Sequence, residues 1–177
     1  MKKFQWCTQY ITSKDFVSCL PVQNVMMLPK LSKIVLHTSL SDATYFPGYI
    51  ALQMISGQKP KKTRAKNFVA GFKIRKDQLL GCQVTLREQQ MFSFFEKFQT
   101  IFLPKIREWE GIENSWNRNS VNLGFVNFLF FPECVSHYEL FENLHGFQIH
   151  IHFTGVKSHS LSSFLTSSLQ LPLRVKL

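Results

Sequence analysis

The 177 residues, 45% hydrophobic and 14% aromatic, suffice for one globular domain with its own core, and no linker or internal repeat divides them. Only 18% are charged, which excludes a disordered polar chain, and no apolar run approaches the about 18 residues of a membrane span. Net charge is +10, and eight cations between Lys59 and Lys76, with no acid among them, concentrate the positive field in one segment.

In chain order, Leu31–Thr38 reads as a half-buried strand, with Ile34 and Leu36 on one side and Lys33, Val35 and His37 on the other. Tyr49–Ile55 reads as a short helix that begins near Pro47 and stops at Gly57. Cys82–Arg87 alternates Val84 and Leu86 inward with Gln83, Thr85 and Arg87 outward. From Arg87 to Leu103, apolar residues recur three or four apart and stop at Pro104, which predicts a helix. The apolar stretch Phe125–Phe131, closed by Pro132, suits a buried strand. Phe147, Ile149, Ile151 and Phe153 alternate with Gln148, His150 and His152, a strand apolar on one face only, and Leu161, Phe164, Leu165 and Leu169 keep helical spacing. Strands separated by helices, without a repeated β-α-β pattern, predict an α+β layer with a mixed, mostly antiparallel sheet.

The cysteines Cys7, Cys19, Cys82 and Cys134 stand singly, with no metal or disulfide spacing, and read as small buried hydrophobes in a reducing compartment. His150 and His152 share a strand face but lack a third local ligand, His145 adds nothing, and Glu108, Glu110 and Glu113 form no general acid–base device. No metal, cofactor or enzymatic activity is expected. The 18 phenylalanines fall mostly on inward faces, so core packing accounts for them better than base stacking; AT-rich coding would add to the excess.

The basic segment is the strongest functional signal. Its Lys59, Lys61 and Lys62, interspersed with Gly, Pro, Thr and Gln, suit RNA phosphates better than a lipid surface, since no amphipathic anchor lies beside them. The outward strand residues Lys33, His37, Gln83, Thr85, Arg87, Gln148, His150 and His152 would line a cationic, hydrogen-bonding face if their strands are neighbours.

Ile55-Ser56-Gly57-Gln58-Lys59-Pro60, Thr63, Ala65-Lys66 and Ala70-Gly71-Phe72-Lys73-Ile74-Arg75 closely resemble the bacterial-type large-subunit ribosomal protein family five. So do Gly81-Cys82-Gln83-Val84-Thr85-Leu86-Arg87, the helix bearing Met91, Phe94 and Phe95, Leu103-Pro104-Lys105-Ile106-Arg107 and Phe131-Pro132-Glu133. The resemblance covers about 25–171, with an N-terminal helix at about 1–20 matching in character, and implies one ribosomal-protein domain over 1–177. It implies helices packed on one sheet face and, on the opposite face, a non-catalytic grip on 5S rRNA in the central protuberance of the large subunit.

Carried over residue by residue, the rRNA-facing set is Lys33, Gln58, Lys59, Thr63, Lys66, Thr85 and Arg87, joined by Lys61 and Lys62 of the basic segment. His37 stands where the family usually has Asn, with a different reach. The loop Ala70–Gly81, with Gly71, Phe72, Lys73, Ile74, Arg75 and Lys76, corresponds to the family's protruding loop, which approaches the P-site tRNA. Gly71 and Gly81 are expected to supply unusual backbone angles at its ends. Further implied partners are large-subunit rRNA, neighbouring central-protuberance proteins and the small-subunit head protein thirteen. The last contact is remodelled where Trp116-Asn117-Arg118-Asn119-Ser120-Val121-Asn122 replaces a Gly-rich, arginine-bearing loop, and the segment before Pro47 is short.

The absence of an arginine-rich leader, the divergence and the Phe content point to an organelle-encoded protein of the mitochondrial matrix, with plastid or bacterial cytoplasm as alternatives. A general RNA-binding module outside the ribosome, using the same basic segment, is the competing function.

Overall fold

A computed structural model describes residues 2–19, 24–41, 44–106, 111, 116–117, 119–144, 146–156 and 159–172. The expectations for Arg107, Glu108, Glu110, Glu113, Arg118 and His145 lie outside them. Among the described residues are six helices, α1 (Lys2–Cys19), α2 (Tyr45–Ser56), α3 (Glu88–Lys97), α4 (Pro132–Val135), α5 (Tyr138–Phe141) and α6 (His159–Ser168), and six strands. The strands are β1 (Lys30–Ser39), β2 (Lys61–Arg64), β3 (Leu79–Leu86), β4 (Trp116–Asn117), β5 (Ser120–Phe125) and β6 (Phe147–Thr154), ordered β2-β3-β1-β6-β5-β4 in one sheet. The fold is α+β, and β2/β3 and β4/β5 pair antiparallel.

Contacts divide the chain into two compact units, one of residues 1–34, 87–123 and 150–177, the other of residues 35–86 and 124–149. Three of the boundaries fall inside β1, β5 and β6, which is why no linker composition marks them in the sequence.

In the first unit, Phe16 of α1 is buried edge-on against Phe164 of α6, with ring centroids 4.9 Å apart. The amphipathic α3 buries Met91, Phe92, Phe94 and Phe95, and its last turn widens to a π-turn over Phe98–Phe102 before a 3-10 turn at Leu103–Lys105. The single helix expected to Leu103 therefore changes pitch. The wider turn brings residues four apart closer to one line, and Phe94, Phe98 and Phe102 stack in sequence at 6.1 and 5.3 Å. Pro104, with no N–H to donate, follows at once.

In the second unit, α2 packs against β3, α4 and α5. Helix α2 begins at Tyr45, earlier than the expected Tyr49, and Pro47 occupies its first turn, where an N–H has no helical partner to lose. Gly57 ends it in the left-handed region (φ 65°), donating its N–H to the Gln53 carbonyl oxygen.

The strand expected over Phe125–Phe131 stops at Phe125; Phe128–Phe130 form a 3-10 turn and Pro132 opens α4. In one straight strand Phe125 and Phe128 would face opposite sides. The turn lets Phe125, Phe128 and Phe131 all reach Phe147, at 5.4, 4.7 and 5.8 Å, and that cluster outweighs continued pairing. The inward alternation of β6 is as expected, with Phe147, Ile149, Ile151 and Phe153 all buried. Val35, expected outward, is also buried. Among the cysteines, Cys82 and Cys134 are buried and Cys19 is exposed at the end of α1, against the expectation for it.

Candidate nucleic-acid interface

The second unit assembles its polar surface from the end of α2. Ser56, buried there, donates its hydroxyl to the Leu52 carbonyl at 2.6 Å and accepts the Gln58 backbone N–H at 3.2 Å. One hydroxyl thus closes the helix and aims the next two residues. Beyond Pro60, β2 pairs with β3 so that Lys61 lies opposite Gln83, Lys62 opposite Cys82 and Thr63 opposite Gly81. Side chains opposite each other share a face, so Lys61 and Gln83 project to one side of the sheet and Lys62 and Cys82 to the other.

A groove lined by Gln58, Lys59, Lys61, Gln83, Val84 and Thr85 results. It offers two ammonium groups for phosphates beside two amides and a hydroxyl for sugars and base edges. The sequence expectation names Gln58, Lys59, Lys61 and Thr85 in the set. Gln83, also in the groove, is signalled by strand alternation alone. Thr63 is half-buried, and its Oγ1 is inaccessible with no hydrogen-bond partner.

Lys62 does not join this groove. Its ammonium stands 5.7 Å from the Tyr45 ring centroid on the α2 side, a cation–π contact. Burial, with the neighbouring Cys82 thiol, pushes the Tyr45 hydroxyl up to about 12, so the ring beneath Lys62 remains a neutral phenol. The two-residue period of the strand thus separates Lys61 from Lys62, both of which the sequence reading names in the rRNA-facing set.

The loop beyond β2 is a hydrogen-bonded arm. Ala65 donates to the Gln78 carbonyl (2.9 Å) and accepts from Asp77 (3.0 Å), and Val69 and Ile74 exchange backbone bonds at 3.1 and 3.2 Å. Lys66, Gly71, Phe72, Lys73, Arg75 and Lys76 are exposed, Phe72 at 80%, while Ile74 is half-buried. The left-handed residues are Lys73 (φ 55°) and Asp77 (φ 64°), not Gly71 and Gly81 as expected. Gly81 meets a different demand, because a Cβ there would lie 2.1 Å from the Thr38 carbonyl oxygen.

His37 is half-buried in a second hollow of this unit, beside Thr38, Ser39, Gly124, Phe125, Val126, Gly146, Phe147 and Gln148. No formally charged residue lines that hollow, and burial lowers the imidazole pKa, so His37 is neutral at pH 7 with one donor and one acceptor.

Lys33 and Arg87 belong to the first unit, Lys33 half-exposed on β1 and Arg87 exposed in extended backbone before α3. In the same unit and within the divergent Trp116–Asn122 stretch, β4 pairs antiparallel with β5, Trp116 in register with Val121 and Asn117 with Ser120. Among the described residues no group of three His, Cys, Asp or Glu side chains could hold a metal, and no helix is long and apolar enough to cross a membrane.

Comparison with known proteins gives a consistent result. The family model described as ribosomal protein L5 matches residues 24–75, and the model for the C-terminus of the same ribosomal protein family matches residues 79–173. The large ribosomal subunit protein uL5 of Mycoplasma pneumoniae is 32% identical over 93% of this chain and 94% of its own length. The uL5 of Polynucleobacter asymbioticus is 32% identical over 97% and 98%. The large ribosomal subunit protein uL5m of Prototheca wickerhamii is 36% identical over 89% and 72%.

Proposed function

Because this chain belongs to the ribosomal protein L5 family, we propose that it anchors 5S rRNA in the central protuberance through the groove of Gln58, Lys59, Lys61, Gln83 and Thr85. Membership makes it a structural, non-enzymatic constituent of the large ribosomal subunit, working in translation against rRNA. The observation that carries the 5S reading is the groove itself, where cations and neutral hydrogen-bonding groups alternate as RNA backbone and base edges require. Thr63, Lys66 and His37 of the same unit extend the contact, while Lys33 and Arg87 are cations of the first unit that meet rRNA in their own right. The chain acts as one ribosomal-protein domain.

The arm of Gly71, Phe72, Lys73, Ile74, Arg75 and Lys76 reaches toward the P-site tRNA. Its exposed cations suit successive tRNAs, which differ in sequence but share a phosphate backbone. The β4–β5 hairpin stands where the family meets the small-subunit head protein thirteen, and large-subunit rRNA and central-protuberance proteins complete the surroundings. The mitochondrial matrix is the location we favour, supported by the uL5m relative and by the Phe-rich composition; recovery of the protein with purified mitochondrial large subunits tests it.

Cross-linking the protein–5S rRNA complex with ultraviolet light tests the site. RNA adducts are expected on the peptides holding Gln58–Lys61 and Gln83–Thr85. Adducts confined to the arm would contradict the groove as the 5S contact.

A further inference from the structure

On the outward face of the first unit, β6 places His150 and His152 two residues apart, both half-exposed between the buried Ile149, Ile151 and Phe153. Strand β5 contributes Asn122, whose Oδ1 lies 2.7 Å from His150 Nδ1. An amide oxygen only accepts, so Nδ1–H donates to it and the Nε2 of His150 is turned to the other edge of the ring. Strand β1 contributes Lys33, half-exposed. All four residues belong to the same unit, and Lys33 acts electrostatically on His152.

We propose that Lys33, His150 and His152 form a proton-linked site for an RNA phosphodiester, separate from the Gln58–Thr85 groove. The inference rests on the RNA-binding reading above, which already uses Lys33 as a cation, and adds to it His150, His152 and their proton linkage. Three groups that carry or can acquire positive charge converge on one surface, and β5 supplies no charged residue to offset them. Burial first, then the charges of Lys33 and His150, lower the His152 pKa.

A phosphate among the three groups reverses that balance. Its charge offsets Lys33 and favours imidazolium, which donates a charge-assisted hydrogen bond where neutral imidazole can offer a lone pair. The anion and the proton therefore bind together. Lys30 at the start of β1 is exposed and adds general positive potential.

The test is RNA affinity at fixed ionic strength between about pH 8 and about pH 5.5, with 5S rRNA and with an unrelated duplex of equal length. The wild type is expected to bind about fivefold more tightly at the acid end, the effect of roughly one imidazole taking up a proton. His152→Gln should bind weakly with most of that pH dependence gone, and His152→Arg should bind tightly across the range, with melting curves confirming that both are folded. A pH slope unchanged in both variants, or absent from a wild type that binds, overturns the site while leaving the 5S reading intact. Equal proton-linked binding of both RNAs upholds the site and contradicts 5S preference, and no binding of either RNA overturns both.

Discussion

Lys61 and Lys62 are adjacent in sequence and project from opposite faces of the sheet, Lys61 opposite Gln83 in the groove and Lys62 opposite Cys82 and over the Tyr45 ring. Their substitution should separate RNA binding from stability. Lys61→Ala is expected to weaken binding on every RNA and to reduce the slope of log affinity against log salt by about 0.7–0.9, the signature of one lost phosphate contact. Lys62→Ala should leave that slope unchanged and cost roughly 0.5–1 kcal/mol of stability through the lost cation–π contact. Equal slopes for the two variants would contradict the assignment of faces.

Gln58 and Thr85 bring neutral groups to the same groove. Gln58→Ala or Thr85→Ala is therefore expected to reduce the preference for 5S rRNA over a control RNA by about 1 kcal/mol, with the salt slope preserved. Ser56→Ala should act on the same preference indirectly, because the Ser56 hydroxyl holds the Gln58 backbone. Competition binding measures both. Uniform loss on all RNAs would mean that these residues supply general affinity.

The sheet and the candidate groove were legible in the sequence to different depths. The β6 strand and the α3 helix could be read because their apolar periods are unbroken and the residues lie where the period places them. Strand β2, Lys-Lys-Thr-Arg, has no apolar alternation, so nothing local fixes which lysine faces the groove; its pairing with β3 does. The end of β5 at Phe125 depends on a ring cluster around Phe147, far along the chain. The α-to-π change after Lys97 similarly follows from ring stacking, which a period of three or four residues does not distinguish from an ordinary helix. Motif resemblance singled out Gln58, Lys59 and Thr85, whereas Gln83 was signalled by strand alternation alone.

Gly81 leaves no room for a side chain. A Cβ there would lie 2.1 Å from a backbone oxygen, which cannot rotate away, so Gly81→Ala is expected to cost at least about 1–3 kcal/mol and to lower the melting temperature. Gly71→Ala is the control. A Cβ at Gly71 meets nothing within 4 Å and its backbone is not left-handed, so its effect should stay within about 0.5 kcal/mol. Similar melting points for the two variants would contradict the close approach of β3 and Thr38.

Acidification should destabilise the protein through His37. Burial places its folded pKa below the ordinary 6.5, so the unfolded chain binds more protons in the interval between the two values. Stability due to this group is fully present above about pH 6.5 and declines as pH falls from there toward the folded pKa. His152 contributes with the same sign. Melting temperatures across this range should fall less steeply for His37→Asn than for the wild type. A steeper fall in the variant would reverse the sign assigned to His37.

The central claim, that the groove reads 5S rRNA and does more than attract polyanions, is tested most directly by titrating the protein with 5S rRNA and a length-matched control at rising salt. Phosphate contacts of the kind proposed for Lys59 and Lys61 weaken alike on both RNAs as salt rises, while neutral contacts of the kind proposed for Gln58, Gln83 and Thr85 are screened far less. The predicted result is a preference for 5S rRNA that persists at high salt; affinities that are equal throughout and vanish together would contradict it.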